Sequence, residues 1–249
     1  MKNIFGSLIF ENPKPLEMIK QMIKMSTNSN DIILDFFAGS GTTAHAVIAL
    51  NAEDGGNRKC ISVQLAEPCD EKSEAHKAGY KTIADIGKER IRRAGKKIKK
   101  EKEGQLNFEG KKLDTGFKAF KLDESNFKIW RTDLKDKKEL IKQMDLFVDN
   151  VKKESTQQNI LYELILKSGL DLNVPTEKKK YNGKQHFSLD GGKLIVCLED
   201  KITQKLSDVI LSAKPEKVIC LDKAFGKNDQ LKTNTILQME SAKIDFKVI

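Results

Sequence analysis

Residues 31–43 restrict the fold more than any other part of the chain. They read Asp31-Ile32-Ile33-Leu34-Asp35-Phe36-Phe37-Ala38-Gly39-Ser40-Gly41-Thr42-Thr43. A short apolar run ends in a turn with paired glycines, and Ala44, Val47, Ile48 and Leu50 then recur at helical spacing. That is a strand entering a helix through a tight turn. Asp54-Gly55-Gly56-Asn57 closes the helix, and Lys59–Leu65 alternates Ile61, Val63 and Leu65 as a returning strand. Strand, helix and strand in this order form a βαβ unit, whose strands run parallel and whose crossover is right-handed.

The loop between strand and helix is a candidate ligand site. Glycine permits positive φ and close approach of a ligand to the backbone. The amino end of the following helix offers unpaired N–H groups and a positive dipole end. A pyrophosphate or the methionyl group of S-adenosylmethionine suits such a loop, and so does a tight turn that binds nothing. Gly39-x-Gly41-x-x-Ala44 formally satisfies the dinucleotide fingerprint, but no acid stands unambiguously at the end of the second strand. No Gly-Lys-Ser/Thr follows the glycines, which excludes a P-loop.

The 249 residues allow one or two domains. With 39% hydrophobic and 33% charged residues, the chain can build a core and is not disordered throughout. Its apolar runs, such as Ile32–Leu34, are far shorter than the ~20 residues a membrane-crossing helix needs. The Met1–Phe5 start lacks an apolar signal region. Cys60, Cys69, Cys197 and Cys220 form no Cys-x-x-Cys pair, so they are expected to be reduced, mostly buried thiols in a cytoplasmic protein without a metal site. His45 is expected on a helix face, and His76 and His186 carry no evident chemistry.

Residues 13–25 predict an amphipathic helix with Pro13 and Pro15 in its first turn. Tyr80–Lys100 predicts a longer one, with Ile83, Ile86, Ile91, Ala94 and Ile98 on one face. The net charge is +9, and residues 88–103 alone contribute a net +6. Lys88, Arg90, Arg92, Arg93, Lys96 and Lys97 are therefore candidate contacts to a DNA backbone. The same residues equally describe the solvated face of a helix. The polar Gly104–Gly116 stretch places a boundary between residues 1–104 and 105–249. Beyond it, Phe117–Leu122 and Phe127–Trp130 read as strands, and Leu134–Val151 and Gln157–Ser168 as helices. Asp190-Gly191-Gly192 is a hairpin signal. Strands at 193–198, 217–221 and 244–249 alternate with helices at 201–212 and 228–239, which predicts a parallel sheet.

The context of the loop carries a family resemblance. Asn12-Pro13-Lys14-Pro15-Leu16-Glu17, then a helix, then Asp35-Phe36-Phe37-Ala38-Gly39-Ser40-Gly41-Thr42-Thr43 resembles the permuted β-class amino-methyltransferases of DNA. Downstream, Gly56-Asn57-Arg58-Lys59, Val63-Gln64-Leu65-Ala66-Glu67-Pro68 and the Thr82–Gly95 segment resemble the modification (Mod) subunit of type III restriction–modification systems. Asp114-Thr115-Gly116-Phe117, Phe127-Lys128-Ile129-Trp130, Leu166–Leu172, Leu221-Asp222 with Phe225-Gly226, and Lys232-Thr233-Asn234 follow in family order.

This resemblance implies an α/β fold: an incomplete Rossmann-like methyltransferase sheet, its cofactor half, followed by a smaller α/β domain. It implies S-adenosylmethionine as cofactor and adenine N6 as acceptor. Asp35, Phe37, Ala38, Gly39, Ser40, Gly41 and Thr42 match the cofactor loop, and Lys14 the upstream motif that closes the pocket. Gln64 or Glu67 is expected to meet the ribose. Double-stranded DNA, the restriction (Res) subunit and a second Mod copy are the implied partners of the complete enzyme. The chain departs from the family in one respect. Its prolines are Pro13, Pro15, Pro68, Pro175 and Pro215, none adjacent, so it holds no Asp/Asn-Pro-Pro-Tyr/Phe motif. In the permuted order that motif and the target-recognition domain precede the Lys-Pro helix. The expectation is a C-terminal part of a Mod subunit with no catalytic residue of its own, inactive alone and completed by a separate polypeptide. The alternative is a non-catalytic module that dimerises Mod or holds Res.

Overall fold

The computed structural model describes residues 1–102, 113–134, 136–147, 149–226 and 228–249. They divide into two compact units, Met1–Phe120 and Lys121–Ile249. Most of the segment in which the sequence places a boundary, residues 103–112, lies outside the described residues.

The first unit runs α1 (Lys2–Phe5), α2 (Leu16–Ser26), β1 (Ile32–Asp35), α3 (Thr42–Asp54), β2 (Lys59–Ser62), α4 (Glu74–Lys77) and α5 (Ile83–Lys102). β1 and β2 pair in parallel, Ile32 opposite Lys59 and Asp35 opposite Ser62, as the βαβ reading requires. The pairing extends past the strands, because Val63 N–H donates to Asp35 O at 2.8 Å and Ala38 N–H to Val63 O at 3.1 Å. Helix α3 is the centre of this unit. Its Ala46, Val47 and Leu50 cluster with Ile23 of α2 and with Ile33 of β1. Its Ala44, Ile48 and Ala52 cluster with Ile91 and Ile98 of α5, so the apolar stripe expected on α5 is in place. Lys20 ties α2 to α3 through Glu53 at 2.5 Å.

Helix α2 starts three residues later than the spacing predicts. Pro15 sits at its N-cap in an extended conformation (φ −60°, ψ 127°). Proline also disfavours helix at the residue before it, which holds Lys14 out. Among the described residues of this unit, the opposite face of the β1–β2 sheet is left uncovered. Ile32, Leu34, Phe36, Ile61, Val63 and Leu65 are each between 49% and 68% exposed.

The second unit contains α6 (Lys137–Phe147), α7 (Gln157–Lys167), β3 (Thr176–Tyr181), β4 (Lys184–Leu189), β5 (Leu194–Cys197), α8 (Gln204–Ser212), β6 (Lys217–Cys220), α9 (Asp229–Ser241) and β7 (Asp245–Val248). The strands form one sheet in the order β3-β4-β5-β6-β7. β3, β4 and β5 are antiparallel, whereas β5, β6 and β7 are parallel. The alternating last third and its parallel sheet are as expected, and a turn at Asp190–Gly192 joins β4 to β5. Ile165, Leu189, Ile195, Val196, Leu206, Ile210, Val218 and Met239 form the centre of the core.

Two expectations fail here. Phe117–Leu122 and Phe127–Trp130 are not strands; among the described residues only an isolated Phe127–Val151 bridge forms in them. Their aromatic residues are anchors rather than sheet formers. Phe117 lies under the Arg92 guanidinium at 5.5 Å, Phe127 under the Lys167 ammonium at 4.9 Å, and Trp130 edge-on to Phe147 at 4.9 Å. The helix predicted over 134–151 is also shorter, Lys137–Phe147.

Candidate cofactor-binding site

The loop from Phe36 to Gly41 joins β1 to α3. Gly39 and Gly41 both have positive φ, +51° and +73°, and Gly41 caps the helix in the left-handed conformation. Gly41 is constrained in space as well. A Cβ there would lie 3.1 Å from Gly87 O of α5, and a Cβ on Gly87 would lie 3.1 Å from Gly39 O. Loop and helix thus touch backbone to backbone through glycines from two distant parts of the chain. Gly41 N–H donates to Ala38 O at 2.8 Å, closing the turn.

Gln64, just past β2, holds the loop from the other side: its Oε1 accepts the Gly39 N–H at 2.7 Å. Asp35 Oδ1 accepts the Phe37 N–H at 3.3 Å. The Phe37 ring is 80% exposed, and the Phe10 ring packs beside Gly39. Lys14 stands exposed before α2, and Glu67 is exposed beyond β2. The amides of Ser40, Thr42, Thr43 and Ala44 donate to no acceptor among the described residues, as the first turn of a helix leaves them.

Ser40 and Thr42 turn their hydroxyls inward and are almost fully buried. The residue that meets them is Arg90 of α5, only 3% exposed. Its Nη1 donates to Ser40 Oγ at 2.8 Å and to Thr42 Oγ1 at 2.6 Å. Its Nε donates to Nδ1 of buried His45 at 3.4 Å. Burial pushes the Arg90 guanidinium down to about 10. Burial, and next the Arg90 charge, push His45 down to about 4. His45 is therefore a neutral acceptor at neutral pH.

The six basic candidates of α5 separate accordingly. Arg90 points into the unit under the loop and offers nothing to an outside phosphate. Lys88 pairs with Asp85 at 2.8 Å, Arg92 and Arg93 with Glu89 at 3.3 and 2.8 Å, and Lys97 with Glu101 at 3.8 Å. Lys96 is exposed. Sequence reading did not single out Gly87, His45 or Arg90 as parts of the loop. A glycine and an arginine three residues apart in a helix, with an isoleucine face beside them, were the available signal.

No group of three or more His, Cys, Asp or Glu residues able to hold a metal ion occurs among the described residues. No described helix is long and apolar enough to cross a membrane.

Residues 2–94 match the family described as DNA methylase. The Mod subunit of the type III restriction–modification enzyme EcoP15I from Escherichia coli is 31% identical over 246 residues, covering 96% of this chain and 35% of that protein. The Mod subunit of the type III enzyme StyLTI from Salmonella typhimurium is 43% identical over 119 residues, 48% of this chain and 17% of that one. The type II methyltransferase M.KpnI of Klebsiella pneumoniae is 47% identical over 83 residues, 33% of this chain and 20% of that one. The chain thus spans about a third or less of the length of these relatives.

Proposed function

From a chain that belongs with the DNA methylases and the Mod subunits of type III systems, we propose that these 249 residues supply the S-adenosylmethionine-holding part of an adenine-N6 DNA methyltransferase and do not transfer methyl groups by themselves. The observation that carries this reading is the unit around β1 and β2. A parallel βαβ unit presents a glycine loop with free helix amides, yet one face of its sheet is bare and apolar. Parallel sheets are stable when both faces are covered. The bare face with Ile32, Leu34, Phe36, Ile61, Val63 and Leu65 is where the remaining part of a Rossmann-like methyltransferase domain packs. That part brings the Asp-Pro-Pro-Tyr-type motif, which these residues lack.

The roles within the chain follow from the geometry. The amides of Ser40, Thr42, Thr43 and Ala44 receive the anionic end of the cofactor. Ser40 and Thr42 serve through their backbone, because their hydroxyls face Arg90. Gln64 is committed to the Gly39 amide, which leaves Glu67 as the acceptor for a ribose hydroxyl. Lys14, on the extended stretch before α2, closes the methionyl end. Bound S-adenosylmethionine supplies an activated methyl group on a sulfonium. The protein's share is to fix that sulfonium and exclude alternatives, whereas aligning adenine N6 needs base flipping and acceptor groups from the other part.

Isotope-labelled protein titrated with S-adenosylmethionine tests this reading. Amide shifts centred on residues 35–44 and 64–67 are expected, with weak affinity because the far wall of the pocket is elsewhere. Shifts confined to residues 121–249 would refute it.

The second unit favours an accompanying role. Ile129, Trp130, Leu140, Ile141 and Met144 expose apolar surface on and beside α6. A Trp- and Met-bearing patch of this kind suits protein assembly, and dimerisation of Mod or attachment of Res is the use we assign to it.

A further inference from the structure

Arg90 is a buried cation without a counter-anion. It is 3% exposed, and no described carboxylate lies within ion-pair distance of it. Its partners, Ser40, Thr42 and His45, are all neutral. Buried charges are ordinarily paired, because an ion taken out of water loses its hydration and needs an opposite charge to offset the loss. Every other arginine with an ion pair in the first unit has an acid within 3.3 Å: Arg58 with Asp54, and Arg92 and Arg93 with Glu89. Arg90 alone is spent on the loop. It sits where the amino end of α3, a 13-residue helix, already gathers positive potential. Two sources of positive charge and four unused amides converge on one turn, and among the described residues no carboxylate pairs with Arg90 or accepts from those amides.

We propose that Arg90 is a positioning residue whose missing counter-anion is the α-carboxylate of the cofactor, held on the amides of Ser40, Thr42, Thr43 and Ala44. The inference rests on the S-adenosylmethionine reading above and adds a charge that the sequence assigned to DNA. Arg90 acts through the loop: it orients the Ser40 and Thr42 hydroxyls and fixes the backbone that carries the amides. Its charge favours ligands that bring a carboxylate over otherwise identical ligands that do not. The low-dielectric surroundings strengthen that preference and protect it from salt.

The test compares S-adenosylmethionine with decarboxylated S-adenosylmethionine, which keeps the sulfonium, the amine and the adenosine. Binding of both to the full chain is measured by NMR titration for the native protein, Arg90→Met and Arg90→Lys. The native chain is expected to prefer the carboxylate-bearing ligand by about tenfold, the scale of one charge-assisted hydrogen bond. Arg90→Met should weaken both ligands by loosening the loop and, beyond that, abolish the preference for the carboxylate-bearing one. Arg90→Lys should retain most of the preference. Equal weakening of both ligands by Arg90→Met would show a clamp with no electrostatic role and overturn the inference alone. If Arg90→Met does not fold, Arg90→Lys decides: retained preference supports the inference, and equal loss for both ligands overturns it. Failure of the native chain to bind either ligand overturns the cofactor reading and this inference with it.

Discussion

His45 lies under the loop with its Nδ1 accepting from Arg90, and burial followed by the Arg90 charge holds its pKa at about 4 against an ordinary 6.5. A histidine whose folded pKa is depressed binds fewer protons folded than unfolded between those values. Its contribution to stability is complete above about pH 6.5 and is lost as pH falls toward 4. A shift of this size corresponds to about 3 kcal/mol. The protection factors of α3 and α5 amides, taken against the intrinsic exchange rate at each pH, should therefore fall between pH 6.5 and 4 by more in the native chain than in His45→Gln. Equal slopes in the two would show that His45 charges freely when folded. At Gly87 the limit is steric rather than electrostatic. A methyl group there would press on Gly39 O from 3.1 Å, so Gly87→Ala should destabilise the first unit by about 1–3 kcal/mol. It should also weaken S-adenosylmethionine binding by shifting the loop, which titration of the variant reads.

At the level of elements, α7 is fastened by one carboxylate. Glu163 accepts from Ser125 Oγ at 2.5 Å and from the Asn126 N–H and side-chain amide, each at 2.7 Å, and pairs with Lys167 at 2.7 Å. Burial pushes its carboxyl up, but the Lys167 pair and the Ser125 and Asn126 bonds outweigh that and hold it at about 2. The contribution is present above about pH 4.5 and is lost as pH falls toward 2. Glu163→Gln should cost the second unit about 1–3 kcal/mol at pH 7. The single tryptophan, Trp130, makes fluorescence-monitored unfolding a reporter of that unit. An unchanged midpoint would mean the 125–126 stretch is not held by Glu163. Elements with apolar periodicity were legible in the sequence: the βαβ unit, α5, α7 and the alternating β5 to β7 region all stand where spacing put them. The β3–β4 hairpin was not. β3 reads Thr176-Glu177-Lys178-Lys179-Lys180-Tyr181, an edge strand whose lysines guard its open side and hide any alternation. Its one signal was Asn182-Gly183, and both residues take the positive φ of a primed turn, +45° and +76°. The 117–130 aromatics misled in the opposite direction, because aromatic residues favour strands only where a partner strand exists. The glycine loop itself was legible, since two glycines between strand and helix permit few conformations. Its support by Gly87 and Arg90, 48 and 50 positions along in sequence from Gly39 and Ser40, was not, because only the packing of α5 brings them together.

At the scale of the molecule, each unit has its own core, and the two differ in completeness. The second buries a five-stranded sheet. Residues 121–249 expressed alone should therefore unfold cooperatively and resist proteolysis; an unstructured chain by circular dichroism would contradict this. The first unit has only two described strands and an apolar sheet face open to solvent, more exposed apolar surface than a self-sufficient α/β unit leaves. In the function proposed above, that face and the glycine loop make this chain the donor side of a methyltransferase whose acceptor side is another stretch of polypeptide. Methyl transfer measures this most directly. The purified chain is incubated with labelled S-adenosylmethionine and unmethylated mixed-sequence duplex DNA, alone and with a polypeptide carrying an Asp-Pro-Pro-Tyr-type motif and a target-recognition domain. The account predicts background incorporation for the chain alone and adenine methylation only for the pair. Methylation of adenine by the chain alone, at a rate near that of the pair, would contradict it.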